Sequence, residues 1–179
     1  MTCVVGWVEK GIIYMGADSA GVAGLDLRIR KDPKVFKKGP FLIGYTSSFR
    51  MGQLIRYKMS IPEHPHKMDS FEYMCVHFVE ALRGCLKDGG YAKINNNEET
   101  GGHFLVGYKK GLYTIEADFQ VNIVKEHFNA VGCGGDFALG ALQILSGLNL
   151  PPKLIVKKSL MVAESFSAGV RRPFVINSL

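Results

Sequence analysis

The sequence predicts an α+β fold of four layers: two β-sheets face to face, with helices over both outer faces. Three observations carry this. Apolar segments of strand length come first, then two helical patterns, more strands, two more helical patterns and a last strand. Turn signals separate the strands at short intervals, and glycine is abundant at 21 residues. Hydrophobic residues make up 47% and charged residues 21% of the 179 positions, the balance of a globular chain able to bury one core. A single domain over 1–179 is therefore expected.

The elements follow in order. Thr2–Val8 and Gly11–Ala17 read as a hairpin about Glu9-Lys10-Gly11. Gly21–Arg30 reads as a glycine-containing loop with a short extended stretch. Val35–Phe36 and Phe41–Tyr45 form a second hairpin through Gly39-Pro40. Ser47 or Ser48 caps a helix carrying Met51, Leu54, Ile55 and Met59 at helical spacing, and Pro62 to Pro65 ends it. Ser70–Leu86 is a long helix whose main apolar face is Phe71, Met74, Cys75, Phe78, Leu82 and Leu86; Val76, Val79 and Ala81 widen that face beyond what a lone domain covers. Gly89–Gly102 is polar and Asn-rich, hence a loop. Gly102–Tyr108, Gly111–Glu116, Val121–Lys125 and Phe128–Val131 are strands. Gly132-Cys-Gly-Gly-Asp136 is a turn with Asp136 as helix cap, Phe137–Leu145 and Ser159–Ser167 are helices, and Pro173–Ile176 is the last strand.

Composition excludes several classes of function. The formal net charge of +6 is spread over Arg28–Lys38, Lys109-Lys110, Lys157-Lys158 and Arg171-Arg172, with no interleaved aromatic platform for nucleic acid. No apolar run reaches membrane-spanning length, and Glu9 interrupts any signal-peptide pattern, so no membrane association is expected. Cys3, Cys75, Cys85 and Cys133 form no Cys-x-x-Cys pair, and none of His64, His66, His77, His103 and His127 lies at ligand spacing from them. No metal or other cofactor is implied, and reduced thiols in a cytoplasmic protein are expected. Gly132–Gly135 lacks the longer glycine-and-lysine pattern of a phosphate loop.

The chemistry points to the N-terminus. Thr2 lies directly behind Met1, and a residue as small as threonine favours removal of the initiator by methionine aminopeptidase. Thr2 then carries a free amine beside its own hydroxyl. Such an amine takes the hydroxyl proton without help from a histidine, which suits hydrolysis of an amide.

Gly16-Ala17-Asp18-Ser19 at the end of the first hairpin, then Lys34-Val35, then Ile43-Gly44-Tyr45, then Gly132-Cys133-Gly134-Gly135 before a small-residue helix, form an ordered set. In order and spacing this set resembles the proteasome-type N-terminal-nucleophile (Ntn) hydrolases, the proteasome β-subunits and the bacterial HslV peptidase. The resemblance covers nearly the whole chain. It implies the proteasome-like Ntn fold, a four-layer αββα sandwich, and a threonine peptidase. It casts Thr2 as the nucleophile, Lys34 as the ammonium that steadies its alkoxide, and Asp18 as the partner of Lys34. Gly44 then supplies an N–H to the oxyanion. Cys133-Gly134 stands where the family often has Ser-Gly beside the nucleophile's amine, and a thiol is the weaker hydrogen-bonding group. Ser167 stands where proteasomes place an aspartate, Glu164 lies out of register with it, and Phe49-Arg50 replace small residues. The implied partners are a peptide or unfolded protein as substrate, further copies in a closed ring, and an ATP-dependent unfoldase on a separate chain. The alternative is the same fold and ring with Met1 retained and no peptidase activity. A weaker option is an amidase acting on a small molecule.

Overall fold

The computed structural model describes all residues, 1–179. In chain order the strands and helices are β1 (Cys3–Glu9), β2 (Ile12–Ala17), β3 (Ala20–Ala23), β4 (Asp26–Ile29), β5 (Val35–Lys38), β6 (Phe41–Tyr45) and α1 (Phe49–Tyr57). Then come α2 (Ser70–Tyr73), a π-helical segment Met74–Phe78, α3 (Val79–Asp88), and the strands β7 (Lys93–Asn95), β8 (Glu98–Thr100), β9 (Phe104–Tyr108), β10 (Gly111–Ile115), β11 (Val121–Ile123) and β12 (Phe128–Gly132). The chain ends with α4 (Gly135–Leu145), α5 (Pro152–Phe166) and β13 (Val175–Ser178).

One main sheet has the order β12-β1-β2-β13 and the other β11-β10-β9-β6-β5, with every neighbouring pair antiparallel. The alternation of side chains along each strand builds the layers. On β1, Cys3, Val5 and Trp7 face α4 and α5, where they join Leu142, Ile155, Val156 and Leu160. Val4 faces the other way and meets Met15, Leu42 and Leu105 between the sheets. On β6, Leu42 lies between the sheets, while Phe41, Ile43 and Tyr45 face Met51, Ile55, Phe78 and Leu82 of the helices. Three cores separated by two sheets make the predicted αββα sandwich. Each large apolar side chain so buried contributes about 1.5–3 kcal/mol.

Several boundaries differ from the sequence reading. Gly21–Arg30 and Gly89–Gly102 each hold a hairpin, β3–β4 and β7–β8. In the second hairpin Asn96 and Asn97 take φ of 48° and 67°, a turn conformation that asparagine tolerates. The long helix beginning at Ser70 is not regular α-helix, since its second turn is π-helical. The last helix starts at Pro152, because proline suits the first helical turn, so its first half precedes the predicted Ser159. Ser48, not Ser47, caps α1, its hydroxyl accepting the Arg50 N–H at 3.1 Å. Asp136 does not cap α4: the cap position is Gly134, and Asp136 lies in the first turn. The final strand is shifted to Val175–Ser178. No helix is long and apolar enough to cross a membrane.

Candidate active site

The site lies where β1 begins. Val4 pairs with Ala17, so Cys3 and Asp18, the next residues outward, face each other. The Asp18 carboxylate accepts the Cys3 N–H at 3.0 Å, the Ala20 N–H at 2.8 Å and the Arg171 N–H at 3.3 Å. Lys34 comes from the opposite sheet, immediately before β5. Its Nζ lies 2.9 and 3.1 Å from the two Asp18 oxygens, and the two side chains are 1% and 0% exposed. Burial pulls the Lys34 ammonium below its ordinary pKa, and the facing Asp18 carboxylate opposes but does not cancel that effect. The Phe49 ring, 5.6 Å from Lys34 Nζ, covers this pair and is itself stacked by the Arg30 guanidinium at 3.9 Å.

Thr2 is buried beside the pair. Its hydroxyl donates to the Met1 carbonyl oxygen, and Lys34 Nζ approaches the same oxygen at 3.4 Å. The Thr2 N–H donates to Cys133 Sγ at 3.2 Å, and that sulfur lies 3.4 Å from Ser167 Oγ. The Gly134 N–H donates to the Thr2 carbonyl at 3.4 Å. The turn comes this close because of Gly132, whose φ of 98° and lack of a Cβ let it rest on the Thr2 carbonyl. The structure thus brings Thr2, Asp18, Lys34, Cys133 and Gly134 together.

It does not bring Gly44. That residue sits inside β6, opposite Val35 of β5 on one side and Leu105 of β9 on the other. A Cβ there would overlap Val4 and stand 2.9 Å from Met15 Sδ, so the glycine serves close approach of the two sheets. The cleft beside Thr2, about 540 Å³, is lined instead by Thr46 and Ser47 a few residues later. Ser47 takes a left-handed φ of 63°, and Ser48 caps α1 next to it, so the positive end of this nine-residue helix opens beside the cleft.

No protein-family model matches the chain, and no curated protein matches it. Solved structures do. BPH of Thiobacillus denitrificans, in complex with epoxomicin, aligns at TM-score 0.82 and 21% identity over 99% of this chain and 98% of that one. HslV of Trypanosoma brucei aligns at TM-score 0.70 and 14% identity, over 99% and 98%. A Gly-1 mutant of Anbu from Hyphomicrobium sp. strain MC1 aligns at TM-score 0.69 and 14% identity, over 98% and 80%. The fold is that of the HslV- and proteasome-type Ntn hydrolases.

Within this Ntn fold the remaining residues find their places. Ser167, at the end of α5, touches Cys133 and not the Lys34–Asp18 pair. Glu164 points to Arg172, which it binds through the backbone N–H at 2.8 Å and Nε at 2.9 Å. Sequence reasoning missed Arg171. Its backbone N–H helps hold Asp18, while its guanidinium binds the Val170 and Ser167 carbonyls at 2.6 and 3.2 Å at the end of α5. No sequence signal marks a backbone donor of this kind. Gly132 was legible only as part of a glycine-rich turn. Chemically, a buried ammonium held by a carboxylate beside a threonine hydroxyl lowers the cost of forming an alkoxide there.

Proposed function

We propose that this chain is a threonine peptidase whose nucleophile is Thr2 freed of Met1, working inside a ring of identical copies. One observation carries the reading: the Thr2 hydroxyl and the Lys34 ammonium converge on one oxygen, the Met1 carbonyl, at the mouth of the cleft. Hydrolysis of the Met1–Thr2 bond removes that oxygen and turns the Thr2 amide into an amine. The amine then takes the hydroxyl proton, and Lys34, oriented by Asp18, steadies the alkoxide. The alkoxide attacks the substrate carbonyl carbon. The tetrahedral oxyanion faces Ser47, whose N–H is free while the Thr46 and Ser48 N–H groups are donated to the His103 and Thr46 carbonyls, and Ser47 takes the place first assigned to Gly44. Collapse breaks the amide C–N bond and passes the proton from the Thr2 ammonium to the leaving amine. Water then hydrolyses the Thr2 ester by the same proton route. Cys133, itself in contact with Ser167, holds the amine through the contact now made to the Thr2 N–H.

The ring draws support from apolar side chains left open on the helical layers, among them Val76 at 50%, Phe166 at 69% and Ile144 at 73% exposure. Unfolded protein supplied by a separate ATP-driven chain fits a nucleophile at the end of an open cleft. The second reading, a ring-forming protein without activity, is favoured by the same Met1 contact if Met1 stays. Intact mass of the purified protein, before and after epoxomicin, separates the two. The peptidase reading expects loss of one Met and a single adduct, absent in Thr2→Ala. Quantitative retention of Met1 with no adduct refutes it and leaves the second reading.

A further inference from the structure

We infer that the cleft beside Thr2 selects substrates carrying lysine or arginine next to the bond that is cut; this rests on the peptidase reading above. The chain as a whole is basic, at a formal +6, yet the acidic and basic side chains lining this cleft are Glu116 and Asp136, with the His103 imidazole beside Glu116; the one cation there is the α-amine of the N-terminal residue. Lys34 is not among the lining side chains; it is buried and matched by Asp18. Glu116, just past β10, is held in position. Asn122 Nδ2 donates to one of its oxygens at 3.1 Å, and His103 Nε2 stands 3.3 Å from the other. Asp136, in the first turn of α4, neither caps the helix with its side chain nor pairs with a cation, and it also faces the cleft.

These carboxylates reach the cleft from two elements, the end of β10 and the start of α4. Ala130 and Val131 of β12 also line the cleft between strand and helix, as backbone and as buried or half-buried side chains. Carboxylates on the lining of a cleft that ends at Thr2 fit a side chain long enough to reach them with a cationic head, its stem lying along the cleft. The same arrangement repels glutamate and aspartate. The carboxylates are partly exposed, so each is expected to shift the preference by up to about fivefold.

The test uses assembled Thr2→Ala protein, which binds without cutting, and fluorescent decapeptides that differ only in a central Arg, Leu or Glu. Fluorescence anisotropy at low salt should show the Arg peptide binding on the order of tenfold more tightly than the Glu peptide. In Glu116→Gln/Asp136→Asn the ratio should fall to about twofold. Glu126→Gln, in the exposed segment before β12 at the far end of β1 from Thr2, should leave the ratio unchanged. Equal affinities for the Arg and Glu peptides, or the same fall in Glu126→Gln, overturn the inference. Because this readout needs no turnover, it fails independently of the nucleophile, which epoxomicin and intact mass judge. With the active protein, the cleavage map of an unfolded protein, read by mass spectrometry, should place Lys or Arg beside the cut bonds. A map without that enrichment also overturns the inference.

Discussion

Replacing Lys34 by methionine tests the centre of the site. The substitution keeps the aliphatic length and deletes the charge, leaving the Asp18 carboxylate at 0% exposure with no counter-ion. Breaking a buried pair from one side costs about 3–5 kcal/mol. Asp18 keeps the N–H donors of Cys3, Ala20 and Arg171, which lowers the cost of its remaining charge. Lys34→Met therefore belongs at the lower end, about 3 kcal/mol. Asp18→Ala is the worse change, about 5 kcal/mol, because it strands the ammonium and three backbone donors together. The double variant should cost less than the sum of the singles. The reference is Asp32→Ala at the exposed Arg30–Asp32 pair, 37% and 38% exposed, where about 0–1 kcal/mol is expected. Urea unfolding gives all four values from the midpoints, provided the slopes agree. A Lys34→Met cost within about 1 kcal/mol of zero would show that the pair behaves as a surface pair, and the burial argument fails. Lys34→Met protein that folds and still cleaves peptide at the parental rate would remove Lys34 from the mechanism.

Three further outcomes are expected. Gly44→Ala should destabilise by about 1–3 kcal/mol through overlap with Val4 and Met15, with the cleft unchanged; a neutral effect in urea unfolding would contradict the packing described for the two sheets. Cys133→Ser should retain or raise peptide turnover, since a hydroxyl bonds the Thr2 amine better than a thiol, and a bulky alkylating reagent should label the exposed Cys133 in the native protein and block the cleft. Peptide mapping that finds Cys133 labelled only after denaturation contradicts this. The Arg172 guanidinium holds Glu164 below its usual value of 4.5, so its contribution is present above pH 4.5 and is lost as the pH falls through the folded value. Glu164→Gln should lower the urea midpoint at neutral pH and converge with the parent in acid; a constant gap at every pH counts against the ion pair.

The layers were legible because strand patterns are local. The runs at Val4–Val8 and Phe41–Tyr45 announce buried strands without any partner in view. The two hairpins read as loops were not legible, since Asp26–Ile29 is exposed throughout and Asn-rich turns say little about what flanks them. The start of α5 was hidden behind Pro151-Pro152, which reads as a break until its place at the first turn is seen. In the site, Thr2, Asp18 and Lys34 carry their own chemistry and so can be named from sequence. The oxyanion side cannot, because a backbone N–H belongs to every residue and only geometry says which one faces the cleft. The resemblance therefore points to Gly44, whereas the structure buries Gly44 within β6 and lines the cleft with Thr46 and Ser47.

The equal spacing of Thr2, Asp18 and Lys34, sixteen positions each, has a structural cause in register. The tight turn at Lys10-Gly11 returns the chain along β1, so the residue beyond Ala17 must arrive opposite Cys3, next to Thr2. The second interval contains the β3–β4 hairpin, which leaves the sandwich and comes back to it: Ala20 pairs with Ile29, and the Arg30 N–H returns to the Ser19 carbonyl at 2.9 Å. The chain therefore re-enters at the level where it left, and Lys34, the residue before β5 of the opposite sheet, meets Asp18. A residue inserted into the first turn would slip β2 by one position, turn Asp18 to the other face and separate it from Lys34. Length change at the tip of β3–β4 is absorbed by an exposed hairpin, where Leu25 lies fully in solvent, and leaves both ends in place. The site is thus tied to the interval from Thr2 to Asp18 residue by residue, while the interval from Asp18 to Lys34 is held only by where the hairpin closes.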